Sequence, residues 1–209
     1  MKSKNKKNGI LITLEGPEGS GKSTQIKNIS AYFQKKGIRP LILREPGATV
    51  IGEAIREILL HLRVKAMAPE TELMLYLAAR AQIVHEKILP ALKRGRTVLC
   101  DRFEDSTVAY QGFGRGLSVS EILKASRLVR GNLKPQITFL LDLDPREGFK
   151  RIKRGRDRME RAPLVFHRRV RRGFLTLAGR EPRRFRVLDA RQPSDFVFAK
   201  IREVLEHAS

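Results

Sequence analysis

The sequence predicts a three-layer α/β domain in which about five parallel strands are covered by helices on both faces. Three observations predict it. Short, continuous apolar runs alternate with stretches of helical periodicity, the pattern of strands buried on both faces and of the helices that cross between them. The first such run enters a glycine-rich turn that opens directly into a helix. No internal repeat, low-complexity tract or Pro- or Ser-rich linker interrupts the 209 residues. At roughly 150 residues per domain, that length predicts one domain spanning 1–209.

The elements follow in order. Residues 10–14 (Ile-Leu-Ile-Thr-Leu) read as a strand, and the helical pattern begins at Lys22 and runs to about Lys35. Leu41-Ile42-Leu43 is a second strand, with a helix near Ile51–Leu62. Glu70–Arg94 is a long helix closed by Gly95, because glycine accepts the left-handed turn that ends a helix. Thr97–Cys100 is a strand, Val119–Val129 a helix, Ile137–Leu143 a strand and Arg146–Lys153 a helix. Leu164–Leu177 carries apolar residues at 166, 170, 174 and 177, one helical stripe. Phe185–Leu188 and Asp195–Leu205 complete the series as strand and helix.

Composition excludes several classes. At 41% hydrophobic and 31% charged residues, the chain falls within ordinary globular composition, which argues against wholesale disorder. No apolar run reaches the ~18 residues of a membrane helix. The basic residues 2–7 are not followed by the apolar core of a secretory leader, and Lys2, Lys4, Lys6 and Lys7 read as a disordered tail over 1–8. A single cysteine, Cys100, in a predicted buried strand, predicts a cytoplasmic protein in which it serves packing. The net charge is +21, and the stretch 146–191 carries 17 Lys and Arg against 5 Asp and Glu. Such a charge attracts polyanions: nucleic acid, anionic membrane or phosphorylated small molecules. The helix face Arg168, Arg169, Arg171, Arg172 reads as solvated.

In a sheet of this class, ligands bind beyond the carboxyl ends of the strands, so the residues that follow each strand carry the chemistry. After the first strand stands Gly16-Pro17-Glu18-Gly19-Ser20-Gly21-Lys22-Ser23-Thr24, a G-x-x-x-x-G-K-[ST] turn between strand and helix. Its glycines let backbone N–H groups face phosphates, Lys22 reaches the β- and γ-phosphates, and the Ser23 hydroxyl can ligate Mg²⁺. The helix N-terminus adds partial positive charge. After the second strand come Arg44-Glu45-Pro46-Gly47, where Arg44 either forks onto a phosphate or pairs with Glu45. Tyr76 and Arg80, one turn apart on the long helix, share a face and can hold a planar base; alternatively Tyr76 is core and Arg80 surface. After the third strand, Asp101 is placed to hold Mg²⁺ through water. It is preferred narrowly over Asp142, which can cap the helix beginning near Arg146. The basic segment 150–162, with Gly155 in its middle, is either a solvated surface or a mobile lid whose arginines close over phosphates.

Taken together, these segments resemble thymidylate kinases, a branch of the P-loop nucleoside-monophosphate kinases. The resemblance is carried by residues 14–24, Arg44–Gly47, Leu73–Gln82 (LMLYLAARAQ), Asp101–Leu117 (DRFEDSTVAYQGFGRGL), Asp157–Glu160, Val187–Ala190 and Gln192-Pro193. It implies the P-loop fold, a homodimer, no nucleic-acid or membrane partner, and the reaction ATP + dTMP → ADP + dTDP with Mg²⁺. It further implies that Glu18 meets the acceptor's 3′-hydroxyl, that Arg44 and Arg102 grip the dTMP phosphate beside Pro46, and that Tyr76 stacks on thymine while Arg80 bonds it. Thr107 and Gln111 fall near the base edge, Tyr110 crowds the sugar 2′ position, and Asp101 orients the reacting phosphates. The phosphate loop has no arginine of its own, as in the bacterial type, whose lid supplies a catalytic arginine; Arg158 is the first choice, then Arg156 and Arg154. Ala48 and Met159 depart from the family pattern, and the lid is short. The rivals are a kinase for UMP, CMP or dUMP, a nucleic-acid-stimulated NTPase, and a non-catalytic ATP-binding scaffold.

Overall fold

The structure, a computed structural model, describes residues 9–64, 66–153, 155 and 157–207. Five parallel strands form one sheet: β1 Leu11–Glu15, β2 Leu41–Arg44, β3 Val98–Asp101, β4 Ile137–Asp142 and β5 Phe185–Asp189. Their spatial order is β2-β3-β1-β4-β5, so β1 lies at the centre with β3 on one side and β4 on the other. The register pairs Leu14 with Asp101 and with Phe139, which brings the carboxyl ends of β1, β3 and β4 to one edge.

The alternation of side chains along a strand sorts the core into layers. Ile12 and Leu14 of β1, with Phe139 and Leu141 of β4, face α1 (Lys22–Lys35) and α9 (Ser194–His207), packing on Ile26, Ile29, Val197 and Ile201. Leu11, Val98 and Cys100 face the opposite way, onto Ile83, Val84 and Ile88. On the same side, Leu140 and Phe185 pack under α8 (Leu164–Arg180) and α6 (Val119–Arg130). Cys100 is fully buried among these residues, as the sequence predicts.

The remaining helices are α2 (Val50–Leu60), α3 (Pro69–Ile83), α4 (Leu89–Lys93), α5 (Glu104–Thr107) and α7 (Pro145–Arg151). The long helix expected over 70–94 is continuous, but a wider π-type turn at Val84–Ile88 joins α3 to α4. A second π-type stretch, Val108–Gly114, extends α5; together they make a helix over 104–114 that periodicity does not reveal. The segment is so completely buried, Glu104 through Gly112, that it has no polar face to create a period. Asp144, not Asp142, caps α7: its carboxylate accepts from Arg146 N–H at 2.8 Å. Asp142 instead takes the guanidinium fork of Arg171 at 2.7 and 2.8 Å, so Arg171 leaves the solvated face predicted for it. Among the described residues no helix is long and apolar enough to cross a membrane. The basic tail 1–8 and the lid arginines Arg154 and Arg156 lie outside the described residues.

Candidate functional site

A crevice of about 600 Å³ opens along the carboxyl edge of the sheet. Glu18 through Thr24 form one wall, and Arg44, Pro46, Tyr76, Arg80, Asp101, Arg102, Thr107, Tyr110 and Gln111 are among the residues that line the rest. The structure therefore gathers nearly every candidate residue around one space. Gly16 and Pro17 lie just behind it and contribute carbonyls.

The phosphate loop is built on tight backbone contact. A Cβ on Gly19 would stand 2.1 Å from Gly148 O, and one on Gly148 would stand 2.1 Å from Glu18 O, so only glycine fits on either side where the loop meets α7. Gly21 enters α1 in the left-handed conformation, leaving the helix N-terminus open to the crevice. Lys22, 9% exposed, donates to Gly16 O at 3.0 Å and Pro17 O at 2.9 Å. Burial, reinforced by the Arg102 charge, lowers its pKa to about 8 despite the nearby carboxylates of Asp101, Glu18 and Glu15. The Ser23 hydroxyl donates to Asp101 Oδ2 at 3.4 Å. These are hard oxygen donors at the mouth of a phosphate loop, a set that suits Mg²⁺, which takes one or two protein oxygens and fills its octahedron with phosphate and water.

Arg102 is held in the left-handed region, φ 70°, a conformation that costs roughly 1–2 kcal/mol for a side chain of this kind. Four contacts hold it there. Its guanidinium donates to Gly16 O (3.1 Å), Ser106 Oγ (3.0 Å) and Glu18 Oε1 (3.2 Å) and lies over the Tyr110 ring. The Tyr110 hydroxyl donates to the same Glu18 oxygen. Burial alone would raise the Glu18 pKa. His167, Arg102, Lys22 and Tyr110 outweigh it and bring the carboxyl down to about 2, so Glu18 stays ionised.

Arg80 differs from the surface alternative: it is 1% exposed and its Nε and Nη2 donate to Glu45 Oε2 at 2.8 and 2.7 Å. The partner of Glu45 is thus Arg80, whereas Arg44 pairs with Glu53 at 2.9 Å on the rim. Arg80 Nη1 and Thr107 Oγ1 are buried without a protein hydrogen-bond partner, and both side chains line the crevice beside Tyr76. Ala48 keeps a left-handed φ of 64°, so the turn holds the shape that glycine ordinarily supplies.

The sequence profile of the family described as thymidylate kinase matches residues 14–201. The chain belongs to the thymidylate kinase family. It is 51% identical over 195 residues to the thymidylate kinase of Deinococcus radiodurans, covering 92% of this chain and 94% of that protein. The Carboxydothermus hydrogenoformans thymidylate kinase is 48% identical, with 95% of this chain and 97% of that one aligned. In the crystal structure of the Ehrlichia chaffeensis thymidylate kinase, 33% identical, 95% of this chain and 99% of that one superpose with a TM-score of 0.76.

Within this thymidylate kinase fold, Arg158 is the candidate the crevice does not gather. Its Nε donates to Leu59 O and its Nη2 to Glu72 Oε2, both at 2.6 Å, while Asp157, Met159 and Glu160 line the crevice instead. Three residues to which the sequence reading gave no role also shape this family site. Glu15 is fully buried at the end of β1 and accepts from Phe103 N–H and the Ser106 hydroxyl at 2.7 and 2.6 Å, tying β1 to the segment that carries Arg102. Glu72, 1% exposed, accepts from Gln111, Arg115 and Arg158. His167, 1% exposed, sits edge-on to Phe149 and Phe166 with Nδ1 3.5 Å from Glu18 Oε2. The available signals were slender: a carboxylate one turn before Tyr76, and a histidine interrupting an apolar stripe.

Proposed function

We propose that this kinase transfers the γ-phosphoryl group of ATP to the 5′-phosphate of dTMP, releasing ADP and dTDP. The observation that carries the reading is the junction of two dissimilar sites in one crevice. A phosphate loop ends at Lys22, and Tyr76 and Arg80 line the same crevice, the latter with a buried Nη1 that has no protein partner. A buried donor without an acceptor costs about 1–3 kcal/mol, and a carbonyl on the edge of a pyrimidine removes that cost.

Both substrates are polyanions, so catalysis is mainly positioning and neutralisation. Lys22 and the loop amides of residues 16–24 hold the ATP phosphates. Arg102, with Arg44 at the rim, holds the acceptor phosphate in line with the γ-phosphoryl group. Glu18, anchored by Arg102 and Tyr110, accepts the deoxyribose 3′-hydroxyl, and Tyr110 fills the space a ribose 2′-hydroxyl would need. Thr107 and Gln111 complete the base edge. Ser23 and Asp101 would hold Mg²⁺, which when bound draws charge from the phosphate oxygens. The lid arginine that stabilises the transition state is Arg158, with Arg156 and then Arg154 as the alternatives. The enzyme works as a cytoplasmic homodimer, a reading supported by the family resemblance and by a lone, buried cysteine.

A coupled assay for ADP release with dTMP, UMP, CMP or no acceptor tests the proposal. Release that depends on dTMP is expected; equal release without acceptor, or a preference for another monophosphate, overturns it.

A further inference from the structure

Arg102 combines a left-handed backbone, φ 70°, with a guanidinium that lines the crevice. A strained backbone persists only where its surroundings over-determine it. Three consecutive residues at the end of β1 do so here. Leu14 O accepts Arg102 N–H at 3.0 Å, Glu15 Oε1 accepts Phe103 N–H at 2.7 Å, and Gly16 O accepts Arg102 Nη1 at 3.1 Å.

Glu15 does more than staple the backbone. Its second oxygen, Oε2, accepts the Ser106 hydroxyl at 2.6 Å, and Ser106 Oγ in turn accepts Arg102 Nη1 at 3.0 Å. One carboxyl group therefore acts on the arginine at both ends. Through Phe103 N–H it fixes the peptide that follows Arg102; through Ser106, in α5, it fixes the tip of the side chain. Glu15 has no exposed surface, so it cannot touch a ligand itself. Keeping a carboxyl there is costly. Burial, with the Asp105 charge, pushes its pKa up, and the Ser106 hydroxyl, the Arg102 charge and Phe103 N–H offset this only in part.

We propose that Glu15, acting through Ser106, is a positioning residue that sets the Arg102 guanidinium for the phosphate of the acceptor nucleotide. A nonpolar side chain would avoid the cost of burial, so the carboxyl serves placement rather than stability. It controls affinity for the monophosphate and leaves recognition of the nucleoside largely alone. This inference rests on the role given to Arg102 in the reaction proposed above.

Binding of dTMP, and of thymidine, which lacks the phosphate, is measured by calorimetry and NMR titration. The proteins are the unmodified enzyme, Ser106→Ala, Glu15→Asp, Glu15→Gln, Arg102→Ala and the double variant Ser106→Ala with Arg102→Ala. Ser106→Ala removes the hydroxyl and leaves the Phe103 staple; Glu15→Asp is one methylene too short to reach both donors. Each is expected to weaken dTMP about tenfold, the scale of one hydrogen bond to a charged group, and thymidine less than about twofold. Glu15→Gln keeps the length, an acceptor for Phe103 N–H and a partner for Ser106, so it is expected to recover most of the affinity. With Arg102 already replaced, Ser106→Ala is expected to add nothing, because the two residues act as one unit. If Glu15→Asp fails to fold, Ser106→Ala carries the test. Unchanged dTMP affinity in Ser106→Ala, an equal loss for thymidine, a Glu15→Gln protein as weak as Glu15→Asp, or a further loss in the double variant overturns the inference. The reading of the reaction fails separately, in an unmodified enzyme without dTMP-dependent ADP release.

Discussion

The two halves of the crevice are made by different means. The half proposed for the donor is mainly one continuous stretch, residues 16–24, whose groups are backbone amides, glycines and a lysine bent over its own loop. The half proposed for the acceptor is assembled from side chains brought together over long separations: Arg80 with Glu45, 35 residues apart, and Arg102 with Glu18 of the loop, 84 apart. In the first, geometry comes from the chain's local conformation; in the second, it comes from charges that hold one another in place. Mutations should therefore separate chemistry from stability in the donor half and merge the two in the acceptor half.

The strongest way to break this contrast is Lys22→Ala. Removing a preorganised cation from a transferring phosphoryl group should lower kcat by about 10²–10³-fold, the scale seen for the loss of one transition-state donor. The melting temperature should hardly change, since the ammonium only satisfies loop carbonyls. A collapsed thermal transition would show that the donor half is also held by charge. Arg80→Ala should do the opposite. It strands Glu45 in the interior and should cost about 3–5 kcal/mol in urea unfolding, together with a raised dTMP KM. A protein of unchanged stability would mean the pair orders the site without supporting the fold.

The pH profile gives a smaller and subtler test. Burial lowers the Lys22 pKa from its usual 10.5 to about 8, so the free enzyme loses that ammonium on the alkaline side of 8. The value of kcat/KM for ATP reports the free enzyme and should decline above pH 8 by at most tenfold per unit. Stability runs the other way. Between 8 and 10.5 the unfolded chain binds the proton that the native lysine has released, so this group makes the fold more stable as pH rises. A flat activity profile to pH 10 would place the lysine outside phosphate binding.

The same contrast explains what could be read before folding. The strand order of chemistry, the phosphate loop and the carboxyl-edge location all follow from period and spacing, and β1, α1 and the residues after each strand fall where the sequence places them. The acceptor half was legible as residue types, not as partnerships. Glu45 follows Arg44 in the chain, yet its partner is Arg80, because successive residues of an extended chain point to opposite sides. The 104–114 helix escaped because burial on all sides erases amphipathic periodicity. Glu15, Glu72 and His167 act through groups distant in sequence, so local pattern marks them only faintly.

The interior is where many carboxylates reside. Among the described residues, Glu15, Glu45, Glu72, Glu104, Asp105 and Glu160 are buried, against only Lys22, Arg80 and Arg130 among the lysines and arginines. The solvent-facing shell is accordingly more cationic than the sequence total of +21 suggests. At low ionic strength such a shell will cling to sulfonate resins and carry nucleic acid through purification. Absorbance ratios and gel shifts taken without added salt will then report on the packaging of the enzyme rather than on its trade.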